Sequence, residues 1–494
     1  MKSFDENTHA VHLANGKLQN NNLKAVVRHA LDVGKPHGTL IQIHGGLVSH
    51  KAGVRTAEKL YGKYSAVTNP VFFIWETGAF NAPFNNLIEI ICEVAKKKLF
   101  NKVSEKARTL IDASFDGGQA YFLGVGSIGE DGLISRKQLE AELKADPEFE
   151  EAMEQARDEY VLRQAEILAM RNAKLGTGAP SEPSIVYAAI VSDSTAGELF
   201  PASAASKSAL FPGFNWWNLA GKIIKVVNSV LARRRSGRSR QDQWRWSITE
   251  DVLREFYIGS IGETGWWRPI KKDAADAFRD DAAGGTQFLK ELNKQILARG
   301  ITPRITLVGH SAGSIFICEL LNKAMEIMPN LRFDVIFQAP AATCQQFART
   351  IRASSGGAGG SDQIRRFRQL GMLDSDEAAE VMSPLLQHVY HGSLLYFVSN
   401  VLEGGHDVPL IGMQRFFSGG GERYGKDEAS SIEECKAFYE FHGGGLEWIG
   451  KGDCPDLEGP LAHEYFDDGE TVIKKVIRIL AEDSDADALL EEGS

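Results

Sequence analysis

Short runs of apolar residues occur towards both ends of the chain, and several are followed by glycines. Residues 39–43 (TLIQI) and 70–75 (PVFFIW) are such runs in the first part, and residues 304–308 (RITLV) and 333–337 (FDVIF) are their counterparts in the second. A helical apolar pattern at 315–328 separates the last two. Continuous apolar runs are typical of strands buried on both faces of a parallel sheet. The order strand, helix, strand therefore predicts a βαβ unit and an α/β fold with a mostly parallel sheet flanked by helices.

The pattern changes in the middle of the chain. Residues 138–173 are rich in helix-forming side chains, and residues 219–235 gather apolar side chains on one side of a helix that ends in three arginines. We therefore predict a large, mainly helical insertion that forms a cap. The predicted parts are the first half of the core at 1–93, the insertion at 94–285, the second half of the core at 286–482 and an acidic tail at 483–494.

Composition narrows the class of protein. The 494 residues are 43% hydrophobic and 24% charged, which excludes a collagen-like, disordered or disulfide-scaffold chain. The 65 acidic and 55 basic residues give a net charge of −10, so no nucleic-acid partner is expected. The five cysteines are widely spaced, which predicts reduced thiols in the cytoplasm. The polar N-terminus predicts no leader, and the lack of any apolar run of 18 residues predicts no membrane span.

The strongest chemical signal is the motif GHSAG at residues 309–313, which fits the pattern G-x-S-x-G. It follows a predicted strand and precedes a predicted helix. A nucleophile elbow needs that context, because its glycines leave room for the neighbouring elements while the serine hydroxyl stands above the sheet. The motif predicts Ser311 as a catalytic nucleophile.

A serine hydroxyl needs a general base, and in this arrangement the acid and then the histidine follow the serine along the chain. His463 lies just before a last predicted helix and is the preferred base, with His442 in reserve. Spacing alone leaves the acid open. Asp374 follows one candidate strand, whereas Glu403 and Asp407 follow a segment that fits a strand or a helix equally well.

The oxyanion formed during acyl transfer needs backbone N–H donors. One donor is expected from Ala312, the residue after the serine. The others are expected from the loop of Gly45, Gly46 and Leu47, which follows the run at 39–43, because glycines let the backbone approach a substrate carbonyl closely.

These residues resemble the α/β-hydrolase family, and more closely a bacterial branch of it with HGG and GHSAG motifs. The resemblance covers both sheet-bearing parts but not the insertion, and it implies Asp374 as the acid and His463 as the base. The matching stretches are IHGGLV (43–48), VFFIWETG (71–78), IGETGWW (261–267), LVGHSAGSI (307–315), FQAPAATCQQF (337–347), FRQLGMLDSDEAAE (367–380), LLYFVSNVLE (394–403), VPLIGM (408–413) and AHEYFDDGET (462–471).

Three weaker sequence patterns do not change this prediction. Residues 124–129 match G-x-G-x-x-G, but two acids and a glycine follow where a helix should open, so no nucleotide cofactor is expected. No HExxH or similar spacing occurs, so no metal is expected. The Trp216–Trp217 pair, together with the helix at 219–235 and its arginines, has the parts of a membrane-surface site, but packing of that helix over the active site is favoured.

The sequence thus predicts a serine hydrolase that cleaves a carboxylic ester or a lipid-like substrate through an acyl-enzyme, with thioester or amide hydrolysis also open. The alternative is a catalytically silent protein of the same fold that uses its insertion for partner or membrane-surface contact. The sequence does not specify the oligomeric state.

Overall fold

The computed structural model describes most of the chain, and the statements below concern that part. It comprises residues 3–20, 22–46, 48–76, 84–115, 134–174, 191–200, 214–236, 244–257, 267–355, 362–419 and 423–491.

The centre of the molecule is an eight-stranded sheet in the order β2-β1-β4-β3-β5-β6-β7-β8. All neighbouring strands are parallel except the edge pair β1 and β2. This confirms the α/β class and the mostly parallel sheet predicted from the sequence. The strands are β1 (Ala10–Ala14), β2 (Lys17–Leu18), β3 (Thr39–Ile43), β4 (Asn69–Glu76), β5 (Ile305–His310), β6 (Phe333–Gln338), β7 (Ile364–Met372) and β8 (Leu446–Ile449).

Helices supply most of the remaining structure. They are α1 (Glu6–His9), α2 (Leu23–Ala30), α3 (His50–Tyr64), α4 (Phe84–Lys96), α5 (Lys98–Phe115), α6 (Arg136–Ala145), α7 (Pro147–Lys174), α8 (Asp193–Leu199), α9 (Trp216–Arg235), α10 (Trp244–Val252), α11 (Trp267–Asp276), α12 (Gly284–Arg299), α13 (Gly313–Ile327), α14 (Cys344–Ser354), α15 (Asp374–Ala379), α16 (Leu394–Phe397), α17 (Lys426–Phe441), α18 (Tyr465–Asp468) and α19 (Glu470–Glu491). Single π turns at Leu253–Tyr257 and Val398–Leu402 continue α10 and α16, and short 3-10 turns lie at Pro384–Leu386, Gln414–Phe416 and Lys451–Asp453.

The sheet is buried on both faces, as its continuous apolar strands require. Alternate residues of β3 and β4 face opposite sides, so Ile41 and Phe73 join one apolar cluster while Leu40 and Phe72 join the other. Helices α2, α12, α13, α14 and α17 contribute to the first cluster, and α3 and α19 contribute to the second. The sheet is therefore the middle layer of three.

Several elements differ from the sequence-based expectation. Residues 394–398, which fitted a strand or a helix, form α16 and the start of the π turn. The last helix does not end before the predicted acidic tail but continues to Glu491, because its alanine, leucine and acidic residues are compatible with a helix. The sequence patterns did not indicate β1, β2 or β8, which are short strands at or beside the two edges of the sheet.

The described elements between β4 and β5 are all helices, and a buried charge network joins part of this region to the second half of the chain. Arg233 on α9 donates to Glu250 at 2.9 Å and to Asp251 at 2.8 Å. Asp251 also pairs with Arg254 at 3.1 Å and with His406 at 2.9 Å. We call these five residues the Arg233 network. Its carboxylates are buried, so the cost of burying each negative charge is offset by its ion-pair partners.

Among the described residues of the chain, no helix is both long enough and apolar enough to cross a bilayer.

The junction of β5 and α13 is packed tightly against β3. A Cβ added to Gly313, the first residue of α13, would lie 2.4 Å from the carbonyl oxygen of Ile43. That distance is far inside van der Waals contact, and the obstacle is backbone that cannot move aside cheaply. Glycine at this position lets the helix begin directly above the end of the neighbouring strand.

We expect Gly313→Ala to lower the free energy of unfolding by about 1–3 kcal/mol, because the added methyl group must displace β3 or α13. Gly62→Ala is the matched control. Gly62 lies exposed on α3 with open space around it, so alanine should be neutral or stabilise by up to about 1 kcal/mol. Urea denaturation of both variants measures the difference, and equal stabilities would contradict the proposed constraint.

Candidate active site

Ser311 occupies a strained turn between β5 and α13. Its φ is +52°, a left-handed conformation that few residues other than glycine adopt. The turn is held from the side of β6. The Ser311 N–H donates to the Gln338 carbonyl at 2.9 Å, and the Ser311 carbonyl accepts from the Ala341 N–H at 3.0 Å and the Ser314 hydroxyl at 2.7 Å. Surrounding backbone thus maintains the strain, as is common at functional sites.

The loop after β3 lies directly beside this turn. A Cβ on Gly45 would lie 3.4 Å from the Cβ of Ser311, and one on Gly46 would lie 3.1 Å from the Cβ of Ala312. The structure therefore brings together Ser311, Ala312, Gly45 and Gly46, which the sequence placed in one site. Leu47, the remaining predicted oxyanion residue, lies outside the described residues. Because α13 begins at Gly313, the N–H groups at its start have no acceptor within the helix.

His44 holds this loop against β4, a role that the sequence did not indicate. Its Nε2 accepts the Trp75 N–H at 3.2 Å, its Nδ1 contacts the Gly45 carbonyl at 2.6 Å, and its own carbonyl accepts the Trp75 indole N–H at 3.0 Å. These partners assign the ring proton to Nδ1. Burial lowers the pKa of His44, so the ring stays neutral and both contacts are kept.

His463 lies next to the turn, as predicted, but its ring is unpaired. The centroids of the His463 and His310 rings are 5.0 Å apart, and the His463 carbonyl lies 3.3 Å from His310 Nε2. Neither ring nitrogen of His463 has a hydrogen-bond partner among the described residues. Burial holds its pKa well below the usual value, so the imidazole is neutral. The expected hydrogen bond to the Ser311 hydroxyl is not formed in this state.

Asp374, the predicted acid, is engaged elsewhere. It begins α15 directly after β7, as the sequence indicated, but its carboxylate accepts the Tyr396 hydroxyl at 2.7 Å. Its N–H donates to the side-chain oxygen of Gln414 at 2.9 Å. Because the ring nitrogens of His463 have no partner among the described residues, the expected contact between Asp374 and His463 is absent.

The alternatives left open by the sequence have other partners too. Glu403 accepts from the Trp267 indole at 2.6 Å and from the Lys271 ammonium at 2.7 Å. Asp407 forms an ion pair with Arg415 at 3.1 Å. His442, the reserve base, lies at the end of α17, where its ring packs against that of Phe438 at 4.4 Å between centroids.

Glu380 is a carboxylate that the structure does bring to His463. It caps the C-terminus of α15, and both carboxylate oxygens lie 3.2–3.3 Å from the His463 N–H. Only 6% of the residue is exposed, and burial raises its pKa to about 8. The sequence could have indicated Glu380, because it is the last residue of the stretch DSDEAAE (374–380) that begins with Asp374.

Asp467 is a second carboxylate of the site, with 16% of its side chain exposed. Its Oδ1 lies 3.5 Å from Nδ1 of His310. Burial raises the pKa of Asp467 to about 6 and lowers that of His310 to about 4. Since His310 Nε2 faces the carbonyl of His463, its proton belongs on Nε2, and a proton on Asp467 would bridge the two groups. Asp467 is four residues after His463, a helical spacing that could have marked it.

A cleft of about 490 Å³ opens at the start of α14. Ser311, His463, Glu380 and the Gly45–Gly46 loop are not among the residues that line it. Its charged lining groups are Lys271, Glu319, Arg349, Glu403 and Glu428. The cleft is therefore mainly a polar surface.

The G-x-G-x-x-G stretch at 124–129 lies outside the described residues. Comparison of the chain with protein-family models, with curated proteins and with solved structures found no match. The function is therefore argued from the site alone.

The buried Glu380 carboxyl should make stability depend on pH. Its pKa rises from 4.5 to about 8 on folding, so the folded protein binds the proton more tightly and the free energy of unfolding falls as pH rises between those values. Glu380→Gln keeps the acceptor for the His463 N–H but does not titrate. We expect the stability of the wild type relative to this variant to fall by a few kcal/mol from pH 5 to pH 8. Urea denaturation of both proteins at pH 5 and pH 8 measures this change. The same difference in stability at the two pH values would contradict the raised pKa.

Proposed function

We propose that this chain is a serine hydrolase of the α/β-hydrolase type that cleaves a carboxylic ester or lipid-like substrate through an acyl-enzyme. One observation carries the proposal: Ser311 is held at φ +52° between a buried strand and a helix, with the Gly45–Gly46 loop packed beside it. A strained serine next to a glycine loop and a helix N-terminus is the arrangement that nucleophilic attack on a carbonyl requires.

In the proposed mechanism the Ser311 oxygen attacks the acyl carbonyl while His463 takes the hydroxyl proton. The negative charge that develops on the carbonyl oxygen is stabilised by the N–H groups of Ala312 and of the Gly45–Gly46 loop, each donor supplying about 3 kcal/mol. His463 returns the proton to the leaving alcohol, and water then hydrolyses the acyl-enzyme in the same way. His463 is suited to this role because its ring is neutral, unpaired and next to the turn.

We assign the acid of this mechanism to Glu380 in place of Asp374. Glu380 already contacts the backbone N–H of His463, and the assignment requires the His463 ring and this carboxylate to meet when substrate binds. Catalytic hydrogen bonds often tighten only when substrate binds. The raised pKa of Glu380 would fall once an imidazolium forms beside it, because a neighbouring opposite charge favours the ionised carboxylate.

The state of the cysteines bears on the compartment. All five cysteines are free, which supports a reducing compartment such as the cytoplasm.

One observation favours the alternative of a catalytically silent binding or scaffold protein with this fold. In the described structure His463 is hydrogen-bonded neither to Ser311 nor to a carboxylate through its ring. A protein that never closes this relay would retain the strained turn without the reaction.

Active-site labelling separates the two possibilities. We expect a fluorophosphonate probe to modify the folded chain at one position, which mass spectrometry of the digest would assign to Ser311. Ser311→Ala should abolish labelling, and Ser430→Ala, which changes an exposed serine on α17, should leave a modified Ser311. Absence of labelling in a chain with a native circular dichroism spectrum would support the silent protein.

Kinetics on a p-nitrophenyl ester test the roles of the other residues. His463→Ala should lower kcat about 10⁴–10⁶-fold, by analogy with measured triads. Glu380→Gln should lower kcat about 10⁴-fold and Asp374→Asn much less, because only Glu380 is placed to orient the base. The opposite ranking of the two acid variants would return the role to Asp374.

A further inference from the structure

A cluster of potential metal ligands lies outside the proposed active site. Glu6 on α1, His12 on β1 and His50 at the start of α3 come from three separate elements. One ligand atom from each lies within 4.8 Å of the other two. Two imidazoles and a carboxylate form a donor set that binds zinc in many proteins.

The side chains of the cluster must adjust to share one ion. His50 Nε2 lies 3.0 Å from His12 Nδ1, whereas Glu6 Oε2 lies 3.4 Å from Nε2, the other nitrogen of the His12 ring, and only one of these nitrogens can bind a shared ion. Zinc bonds of 2.0–2.2 Å in tetrahedral geometry place ligand atoms about 3.3 Å apart. Small side-chain rotations would therefore let one nitrogen of each ring and the carboxylate share an ion.

The central histidine is largely withdrawn from water. His12 is 13% exposed in its side chain, and its buried Nε2 makes no hydrogen bond to any described residue. The Glu6 carboxylate lies 3.4 Å from that nitrogen.

We propose that Glu6, His12 and His50 bind a divalent transition-metal ion of the zinc type, with a fourth position open to water. The site does not depend on the proposed hydrolase function. His50 is 38 residues from His12 in the sequence. Local motifs such as HExxH therefore did not indicate the site, and no metal was expected.

The site would brace a functionally important region. His12 lies beside Ile74 in the pairing of β1 with β4, near the end of β4. His50 follows Ser49, the N-cap of α3, a few residues after the Gly45–Gly46 loop. An ion held by both would fix β1 to the start of α3.

Metal titration of the full chain tests the proposal. Protein stripped with a chelator is titrated with Zn²⁺ by calorimetry, and with Co²⁺, whose visible absorption reports tetrahedral coordination. We expect one Zn²⁺ per chain. His12→Ala and His50→Ala should weaken binding by at least the 10–100-fold that follows loss of even an outer-shell partner. Glu6→Gln removes an exposed ligand without disturbing the core and should also weaken binding.

His388→Ala is the matched control, since His388 is an exposed histidine outside the cluster. It should bind Zn²⁺ as the wild type does. Circular dichroism of the metal-free variants checks that each is folded. If a histidine variant is unfolded, Glu6→Gln still tests the site. Failure of the wild type to bind near one equivalent, or equal affinity in Glu6→Gln and the wild type, would overturn the site.

Discussion

The candidate site depends on a close backbone contact between two neighbouring parallel strands and the helix that follows one of them. Helix α13 begins directly over the carbonyl of Ile43, in space that a side chain at Gly313 would occupy. This approach brings the loop after β3 and the turn after β5 side by side. The hydrogen bonds from the loop after β6 then hold Ser311 in its left-handed conformation. Three adjacent strand ends thus determine the geometry of one residue.

Much of this arrangement could be predicted from the sequence, because its determinants are local. Continuous apolar runs indicated β3, β4, β5 and β6, and glycines on either side of Ser311 indicated the turn after β5. Parallel strands end at one edge of the sheet, so a glycine loop after one strand and a serine turn after another were expected to meet. They do meet.

The acid and the metal-ligand cluster could not be predicted in the same way. Asp374 and Glu380 lie on one short helix, and only the packing of the segment before α18 decides which carboxylate contacts His463. The partners of the carboxylates come from the far end of the chain, and no periodicity records such contacts. The edge strands were missed for a related reason, since strands as short as β2 and β8 leave little pattern.

The Arg233 network has a consequence for dissecting the molecule. The helices that insert between β4 and β5 supply Arg233, Glu250, Asp251 and Arg254, whereas His406 belongs to the second half of the chain. Excising the inserted helices to obtain a smaller α/β core would remove the partners of His406 in this network and expose apolar surface that α9 and α10 now cover. The insertion is an integral part of the folded unit, and a smaller engineered version would have to replace both its charges and its apolar contacts.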